Sequence, residues 1–308
     1  MKFRTEVQAP NYNFQIRHWD QLMLLGSCFS DEIGAKFQHA GFHVMTNPFG
    51  TLYNPISITN ALNHILEQRS FLQDDLLFAE DRWLSLDHNT SFQSNDAAEL
   101  VERINTSIEQ AYDFLKSTKF LFLTVGSAWV FKHLSSDRIV ANCHKLPSTD
   151  FQRELLEIGE IQLAFREALD KLKRINPSCS VLFTVSPVRH LRDGMISNTR
   201  SKSILHAALH AMNLDYFPAY EMINDDLRDY RFYTEDLCHV NDLGVAYVWE
   251  KIQDWLVDAA DQRSIDAVLK HRKLSLHRPS DITEHEIHIQ RSKTQLINAF
   301  PFLRETIQ

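Results

Sequence analysis

Two short stretches of the sequence carry side chains that can act together in covalent catalysis. The first is Gly26-Ser27-Cys28, which offers a hydroxyl and a thiol. The second is EDLCHVND, where Asp236 and His239 are three residues apart, so that one turn can place the carboxylate against one imidazole nitrogen. The other nitrogen then faces a cleft as an oriented general base. Together the stretches supply a nucleophile (Ser27 or Cys28), a base and an orienting acid.

Both stretches also have a structural interpretation. Asp-x-x-His spacing is common by chance, and the exposed start of a helix accounts for Asp236 and His239 without catalysis. A small thiol at a strand end, such as Cys28, is often a packed core residue. Catalysis is favoured because both stretches fall at predicted strand ends.

The elements that must position these residues alternate between strands and helices. QLMLLGS is typical of a buried strand, and the helix predicted after it has Ser30 as its N-cap and Asp31 and Glu32 in its first turn. KFLFLTVGS and SVLFTVSPV are nearly continuous apolar runs, typical of parallel strands covered on both faces. Amphipathic helices are predicted around them, including residues 150–177 and 241–260. This alternation predicts a three-layer α/β/α fold with a mostly parallel sheet.

The ends of the predicted strands are rich in polar residues. Ligands bind beyond the carboxyl ends of the strands in such sheets. The middle strand ends in GSAWVF, which makes Ser127 and Trp129 candidates for contact with a ligand. The next strand leads into Arg189 and His190, which are either an anion-binding pair or part of a salt-bridged loop.

Composition excludes several classes of protein. The 308 residues include 32 Lys and Arg against 40 Asp and Glu, a net charge of −8, and no dense basic run interrupts this balance. Nucleic acid is therefore not an expected partner. The N-terminus lacks the apolar core of a signal peptide and nowhere do eighteen apolar residues run together, so we expect no membrane span and a cytoplasmic location. The four cysteines are too few for a disulfide framework, and we expect reduced thiols.

The chain is predicted to consist of one large domain, residues 1–260, and a helical C-terminal appendage, residues 261–308. No cofactor is expected. A metal site is a minor alternative, suggested by Cys143-His144 and Cys238-His239. The sequence lacks Cys-x-x-Cys and His-Glu-x-x-His spacings, so no metal ligands are predicted. The oligomeric state is left open.

Six motifs, in the same order, resemble the GSCFA family, a branch of the SGNH (GDSL-like) hydrolase superfamily. They are LGSCFSDEIG, NPFGTLYNP, TVGSAWVF, NCHKLP, TVSPVRHLRDG and DLCHVNDLGVAYVWEKI. The resemblance runs from about Leu22 to Trp255. It implies a flavodoxin-like domain, a nucleophile after the first strand and a catalytic Asp-x-x-His pair, which falls on Asp236 and His239. Cys28 then occupies the serine position of Gly-Asp-Ser.

A thiol at a helix N-terminus and near a histidine is shifted towards thiolate, which favours Cys28 over Ser27 as the nucleophile. For the oxyanion donors, the resemblance points to Gly50, whereas Ala128 stands where the asparagine of a Gly-x-Asn block is expected. Three further side chains are candidates to supply the missing donor or to contact a sugar ring: Asn142, His144 and Trp129. The alternative interpretations are that Asn142 holds a turn, that His144 is a buried, hydrogen-bonded histidine, and that Trp129 packs in the core.

The function implied is that of an acyl-ester hydrolase or acyltransferase. Its partner would be a small-molecule or carbohydrate ester, such as an ester of the cell envelope, by analogy with the superfamily. The missing asparagine favours an alternative, a catalytically degenerate protein that keeps the pocket and binds a ligand on the same fold.

Overall fold

The computed structural model describes residues 4–277 and 282–307. Its strands are β1 (Gln21–Gly26), β2 (His43–Thr46), β3 (Leu77–Ala79), β4 (Arg82–Leu84), β5 (Gln93–Ser94), β6 (Phe120–Val125), β7 (Trp129–His133), β8 (Arg138–Val140), β9 (Phe151–Leu155), β10 (Ser180–Val185) and β11 (Asp215–Tyr216). Its helices are α1 (Cys28–His39), α2 (Pro55–Leu66), α3 (Ala97–Ser117), α4 (Ile158–Ile175), α5 (Gly194–Ala211), α6 (Ala219–Glu221), α7 (Asp242–Leu256), α8 (Gln262–Leu276) and α9 (Ile282–Ala299).

A five-stranded parallel sheet in the order β11-β10-β6-β1-β2 forms the centre of the fold. Counted along the chain, these strands lie in the order 2-1-3-4-5, which is the order of flavodoxin-like folds. β6 is the middle strand, as its continuous apolar sequence predicts. The predicted three-layer, flavodoxin-like α/β/α fold is therefore confirmed.

Both faces of the sheet are covered by helices. In β1, Met23 and Leu25 pack into one core with α2, α3, α4 and α5, while Leu22 and Leu24 pack into a second core with α1 and α7. All four of these strand residues are at most 1% exposed. Side chains of a strand alternate between faces, so only a sheet buried on both sides selects such an unbroken apolar run.

The carboxyl ends of β1, β6 and β10 meet at one edge of the sheet. Gly26 pairs with Thr124, and Val185 pairs with Val125. Gly26 has a φ of +142°, and a Cβ there would lie 2.1 Å from the carbonyl oxygen of Thr124. Glycine is required at this point because the chain turns out of β1 directly against its neighbour.

Helix α1 begins two residues earlier than its predicted cap. Ser27, not Ser30, is the N-cap, and its Oγ accepts a hydrogen bond from the N–H of Phe29 at 3.3 Å. Ser30 lies inside the first turn, where its hydroxyl donates to Thr124 Oγ1 at 2.8 Å. The predicted cap was wrong because Ser30 has a partner on β6 that the sequence does not reveal.

A small antiparallel sheet, β8-β7-β9, follows β6 and replaces the start of a predicted helix. Residues 150–177 were predicted as one helix, but Phe151–Leu155 form β9 and pair with β7, and α4 begins only at Ile158. The prediction failed because the apolar spacing of this segment fits both elements, and pairing with β7 decides between them.

The C-terminal segment is helical where the structure describes it. Ile265 of α8 packs into the core beside α7, and Val268 packs with Leu296 and Leu303 in a separate small core. The division of the chain at residue 260 stays a prediction. Within residues 4–277 and 282–307, no helix has both the length and the hydropathy needed to cross a membrane.

Candidate active site

A cavity of about 700 Å³ opens at the edge of the sheet where β6 and β10 end. The predicted site residues that line it are Ser127, Trp129, Asn142, Arg189, His190, Asp236 and His239. The others, Ser27, Cys28, Gly50 and His144, are not in its wall. The cavity thus brings the loop of Asp236 and His239 to the ends of β6 and β10.

Asp236 and His239 are in direct contact. Asp236 Oδ2 lies 2.5 Å from His239 Nδ1. Asp236 Oδ1 accepts hydrogen bonds from Thr234 Oγ1 at 2.6 Å and from the N–H groups of Cys238 and His239, both at 2.9 Å. These hydrogen bonds lower the pKa of Asp236, and the bond from Thr234 has the largest effect. The carboxylate therefore stays ionised. Because Nδ1 of His239 contacts the carboxylate, Nε2 is the ring nitrogen available to a ligand in the cavity.

Arg189 holds the loop that carries this pair. Its N–H donates to the carbonyl of Cys238 at 3.1 Å, and its guanidinium donates to the carbonyl of Leu237 at 3.4 Å. The guanidinium also lies 4.3 Å from the ring centroid of Tyr233. Within the described residues Arg189 forms no ion pair with a carboxylate. The salt-bridged loop is therefore not what the structure shows, because the partners of Arg189 are carbonyls and an aromatic ring; its role in binding an anion stays a prediction.

Ser27 and Cys28 lie in different environments. Ser27 is 0% exposed, its hydroxyl caps α1 by accepting from Phe29, and its N–H donates to the carbonyl of Thr124 at 3.1 Å. Cys28 is half-buried at the first position of the helix. Its thiol lies within electrostatic range of Tyr53, a residue of the cavity wall. Of the two candidates, only the thiol is free of a capping role and partly open to solvent.

The surroundings of Cys28 favour the protonated thiol. Burial raises its pKa to about 11, and the carboxylate of Asp31 adds to the rise. The N–H groups at the start of α1 act in the opposite direction and are the weaker effect. The shift towards thiolate expected from the helix N-terminus is therefore wrong, because desolvation outweighs the donors.

Lys202 is a buried lysine at the ends of β6 and β10 that the sequence did not predict. It projects from α5, is 2% exposed, and donates from Nζ to the carbonyls of Gly126 at 2.7 Å and Ser186 at 2.6 Å. Burial lowers its pKa to about 7, and the nearby Cys28 opposes this change. Lysine on an amphipathic helix usually faces solvent, so the sequence carries no signal of this position.

His190 packs into the same strand end. Its ring centroid lies 5.4 Å from that of Tyr53. A Cβ on Gly126 would lie 2.8 Å from His190 Nε2, so glycine makes room for the ring. Burial, then the charges of Lys202 and His239, lower the pKa of His190 to about 3. Its imidazole is neutral near pH 7 and brings no positive charge for the predicted anion-binding pair.

Gly50 and His144 use polar groups to hold the fold outside the cavity wall. The N–H of Gly50 donates to the carbonyl of Asn47 at 2.7 Å, and a Cβ there would lie 2.1 Å from Asn89 Cγ. This N–H is used in a turn and is not available as an oxyanion donor. His144 is 7% exposed and its Nε2 lies 2.8 Å from the carbonyl of Ser85. It matches the alternative interpretation, a buried and hydrogen-bonded histidine.

Other predicted residues line the cavity but use polar atoms to hold its loops. Ser127 Oγ accepts from the N–H of Trp129 at 3.0 Å, and Asn142 Oδ1 accepts from the N–H of His144 at 2.8 Å. Trp129 Nε1 donates to the carbonyl of Ser197 at 3.2 Å. What these side chains offer a ligand is the ring of Trp129 and the amide nitrogen of Asn142.

The far wall of the cavity comes from the antiparallel sheet and the turn after β10. It includes Phe131, Phe151, Arg153 and Arg192. None of them was predicted; Phe151 and Arg153 were missed because the sequence predicts a helix over residues 151–155. Neither WVFKH nor FQREL alternates strictly between polar and apolar residues, so the sequence carries no clear signal of these two strands.

All four cysteines are free thiols, as expected from their number. Cys143 and Cys238 line the cavity, each beside a histidine in sequence. Nevertheless, the described part of the chain contains no group of three or more His, Cys, Asp or Glu side chains placed to hold a metal ion.

Comparisons with known proteins found a matching family model and a weak similarity to a solved structure. The model of the GSCFA family matches residues 21–252, and no curated protein matches. An acetyl xylan esterase (Est2A) from the rumen bacterium Butyrivibrio proteoclasticus is similar at a TM-score of 0.37 and 11% identity, over 81% of this chain and 65% of that one. The chain thus spans slightly less than two thirds of that esterase. Because the family model covers most of the chain, including Cys28 and His239, this protein belongs to the GSCFA family.

Proposed function

We propose that this protein is an esterase-like hydrolase or an acyltransferase that works through Cys28, His239 and Asp236. The observation that carries the proposal is the 2.5 Å contact between Asp236 Oδ2 and His239 Nδ1 in the wall of a cavity. An ionised carboxylate on one imidazole nitrogen fixes the ring and stabilises its protonated form, which makes the other nitrogen a general base.

The reaction proceeds in two halves. In the first, His239 Nε2 takes the thiol proton, Cys28 Sγ bonds to the carbonyl carbon of the ester, and the alcohol leaves with the proton from His239. In the second, water or an acceptor alcohol gives its proton to His239 and attacks the thioester, which releases the acyl group and restores the thiol. Tyr53 connects the two sites, since it lines the cavity and lies within electrostatic range of Cys28.

Cys28 is preferred over Ser27 for reasons of geometry. The Ser27 hydroxyl caps α1 and is fully buried, so its use as a nucleophile would uncap the helix. Cys28 has a protonated thiol at rest, and transfer of its proton to His239 during the attack supplies the thiolate. A raised thiol pKa is compatible with this sequence because the base acts in the same step.

The oxyanion is stabilised by groups other than those the family resemblance suggests. The N–H of Cys28 lies at the first position of α1, where helix N–H groups have no intrahelical partner and the dipole favours negative charge. In its protonated form, Lys202 adds a cation within electrostatic range of Cys28. These two groups take the place of the engaged N–H of Gly50 and of the missing asparagine at Ala128.

The substrate class follows from the resemblance and from the cavity wall. A carbohydrate or other small-molecule ester fits a cavity of about 700 Å³ with the Trp129 ring in its wall. The cytoplasmic location and the choice between water and an acceptor alcohol stay predictions.

A second candidate function is ligand binding without turnover. The rise of the Cys28 pKa to about 11 and the use of the Gly50 N–H in a turn favour it. Such a protein would keep its affinity for a ligand after Cys28 and His239 are replaced.

The test compares variants in the hydrolysis of 4-nitrophenyl acetate. We expect Cys28→Ala and His239→Ala each to lower kcat/KM by about 10²–10⁴-fold. Cys179→Ala, which removes a half-buried thiol at the opposite end of the sheet, is the matched control and should retain activity. Equal rates in all variants would contradict the roles of Cys28 and His239, and no turnover by the wild type would contradict the hydrolase proposal.

A further inference from the structure

We propose that the ester handled by this cavity carries an anionic group, a carboxylate or a phosphate, and that Lys145, Arg153 and Arg192 receive it. These three side chains are called the basic wall below. The inference rests on the proposed function and names its substrate class. All three residues line the cavity, and they come from separate segments: the turn after β8, the strand β9 and the turn after β10.

The charge of the basic wall is opposite in sign to the net charge of the whole chain. The protein has a net charge of −8, yet the only carboxylate among the described residues of the cavity wall is Asp236. That carboxylate is already bound to His239. A cavity with unbalanced positive charge in an acidic protein raises the local concentration of anionic ligands.

Two members of the basic wall lack an acidic partner. Arg153 pairs with Asp193, with Nη2 and Oδ2 2.5 Å apart. Within the described residues, neither Arg192 nor Lys145 forms an ion pair with a carboxylate. Their charges are therefore available to a ligand.

Stacking holds the guanidinium groups of the basic wall in position before a ligand arrives. The Cζ atoms of Arg153 and Arg192 lie 4.2 Å and 4.6 Å from the ring centroid of Phe131. Guanidinium groups stack on aromatic rings and bind carboxylate or phosphate through two parallel hydrogen bonds. Side chains ordered in this way lose little conformational freedom when an anion binds.

The field of the basic wall reaches into the cavity. Cys143 lines the same cavity, and the charges of Arg192 and Arg153 oppose the rise in its pKa that burial causes. The Cys143 thiol is therefore an internal reporter of the potential at this wall.

The first experiment needs no enzymatic activity. Cys143 is alkylated at low ionic strength with iodoacetate, which is anionic, or with neutral iodoacetamide, and the modified peptide is quantified by mass spectrometry. We expect Arg192→Gln and Lys145→Gln each to lower the ratio of the iodoacetate rate to the iodoacetamide rate by about twofold, the effect of a unit charge ~8 Å away in water. Arg166→Gln removes the same charge from the exposed face of α4 and should leave the ratio unchanged.

The second experiment compares three acetyl esters of matched phenols. The phenols are 4-hydroxybenzoate, 4-hydroxyphenyl phosphate and the neutral methyl 4-hydroxybenzoate. We expect kcat/KM to be higher for an anionic ester than for the neutral one, and this preference to fall in Arg192→Gln but not in Arg166→Gln. The carboxylate and phosphate esters tell which anion is preferred.

The two experiments separate failure of this inference from failure of the proposed function. If no ester is hydrolysed but the alkylation ratio falls in Arg192→Gln, the anion site stands and the esterase proposal fails. If the alkylation ratio is the same in Arg192→Gln and Arg166→Gln, or if an active enzyme does not distinguish anionic from neutral esters, the anion site is refuted.

Discussion

Two regions hold their ionisable groups by opposite means: the buried strand ends next to the cavity wall, called the floor below, and the loop that carries Asp236 and His239. On the floor, Lys202 is 2% exposed and burial moves its pKa to about 7. On the loop, the side chains of Asp236 and His239 are 49% and 53% exposed, and hydrogen bonds rather than burial lower the pKa of Asp236. Changes on the floor should therefore alter folding and its pH dependence, whereas changes on the loop should alter activity with little effect on stability.

The largest expected effect is on the loop. His239→Ala should lower kcat/KM for an activated ester by about 10²–10⁴-fold, because it removes the proposed general base. Its melting temperature should stay close to that of the wild type, since the side chain is half exposed. His210→Ala, on the exposed side of α5, is the matched control for both measurements. A drop in melting temperature as large as that of a core variant would contradict the comparison.

The next effect is on the floor and concerns the pH dependence of stability. Between pH 7 and 10.5 folded Lys202 has lost its proton while the unfolded chain still holds it, so this group makes the free energy of unfolding rise with pH. The contribution is on the order of a few kcal/mol across that window. In Lys202→Met this rise should be absent, which denaturant titrations from pH 7 to 10 would measure as a difference from the wild type. Identical pH profiles would show that Lys202 is protonated throughout.

A smaller effect is expected at the N-cap of α1. Ser27→Ala should cost about 1 kcal/mol of stability, because the N–H of Phe29 loses its acceptor. Activity should persist if Cys28 is the nucleophile. Urea unfolding and ester hydrolysis on the same preparation check both statements, and a loss of kcat/KM as large as that of Cys28→Ala would move the nucleophile to Ser27.

The smallest effect is expected at the edge of the loop. Thr234→Val removes one of the four hydrogen bonds that Asp236 accepts, so the pKa of Asp236 should rise towards its ordinary value. Because the other three bonds remain, kcat/KM should fall by only about threefold. Thr199→Val, on exposed α5, serves as the control. A fall as deep as that of His239→Ala would mean that Thr234 has a role beyond positioning the carboxylate.

The sheet and the family could be predicted from the sequence because their signals are local. The apolar runs of β1, β6 and β10 can be explained only by strands covered on both faces, and three residues are enough separation for Asp236 to reach His239 in one turn. The environment of each group was not predictable in this way. The thiol pKa of Cys28 depends on desolvation by residues distant in sequence, and its predicted direction was wrong.

Long-range contacts account for the other misses. Lys202 is unusual only because two strand-end carbonyls, at Gly126 and Ser186, accept from its Nζ. Gly50 has the residue type of an oxyanion donor, but its N–H is already engaged in a turn. In the basic wall, Arg153 was missed because β9 is predicted as helix, which places this residue on the wrong element. Such facts depend on pairing and packing across the chain, which residue spacing does not encode.

The most direct test of the account is to trap the acyl intermediate. The protein would be mixed with 4-nitrophenyl acetate, quenched in acid within the first turnover, digested and examined by peptide mass spectrometry. The account predicts an acetyl group on Cys28, slow to appear in His239→Ala and absent from Cys28→Ala. An acetyl group on Ser27, or on no residue while 4-nitrophenol is released, would contradict it.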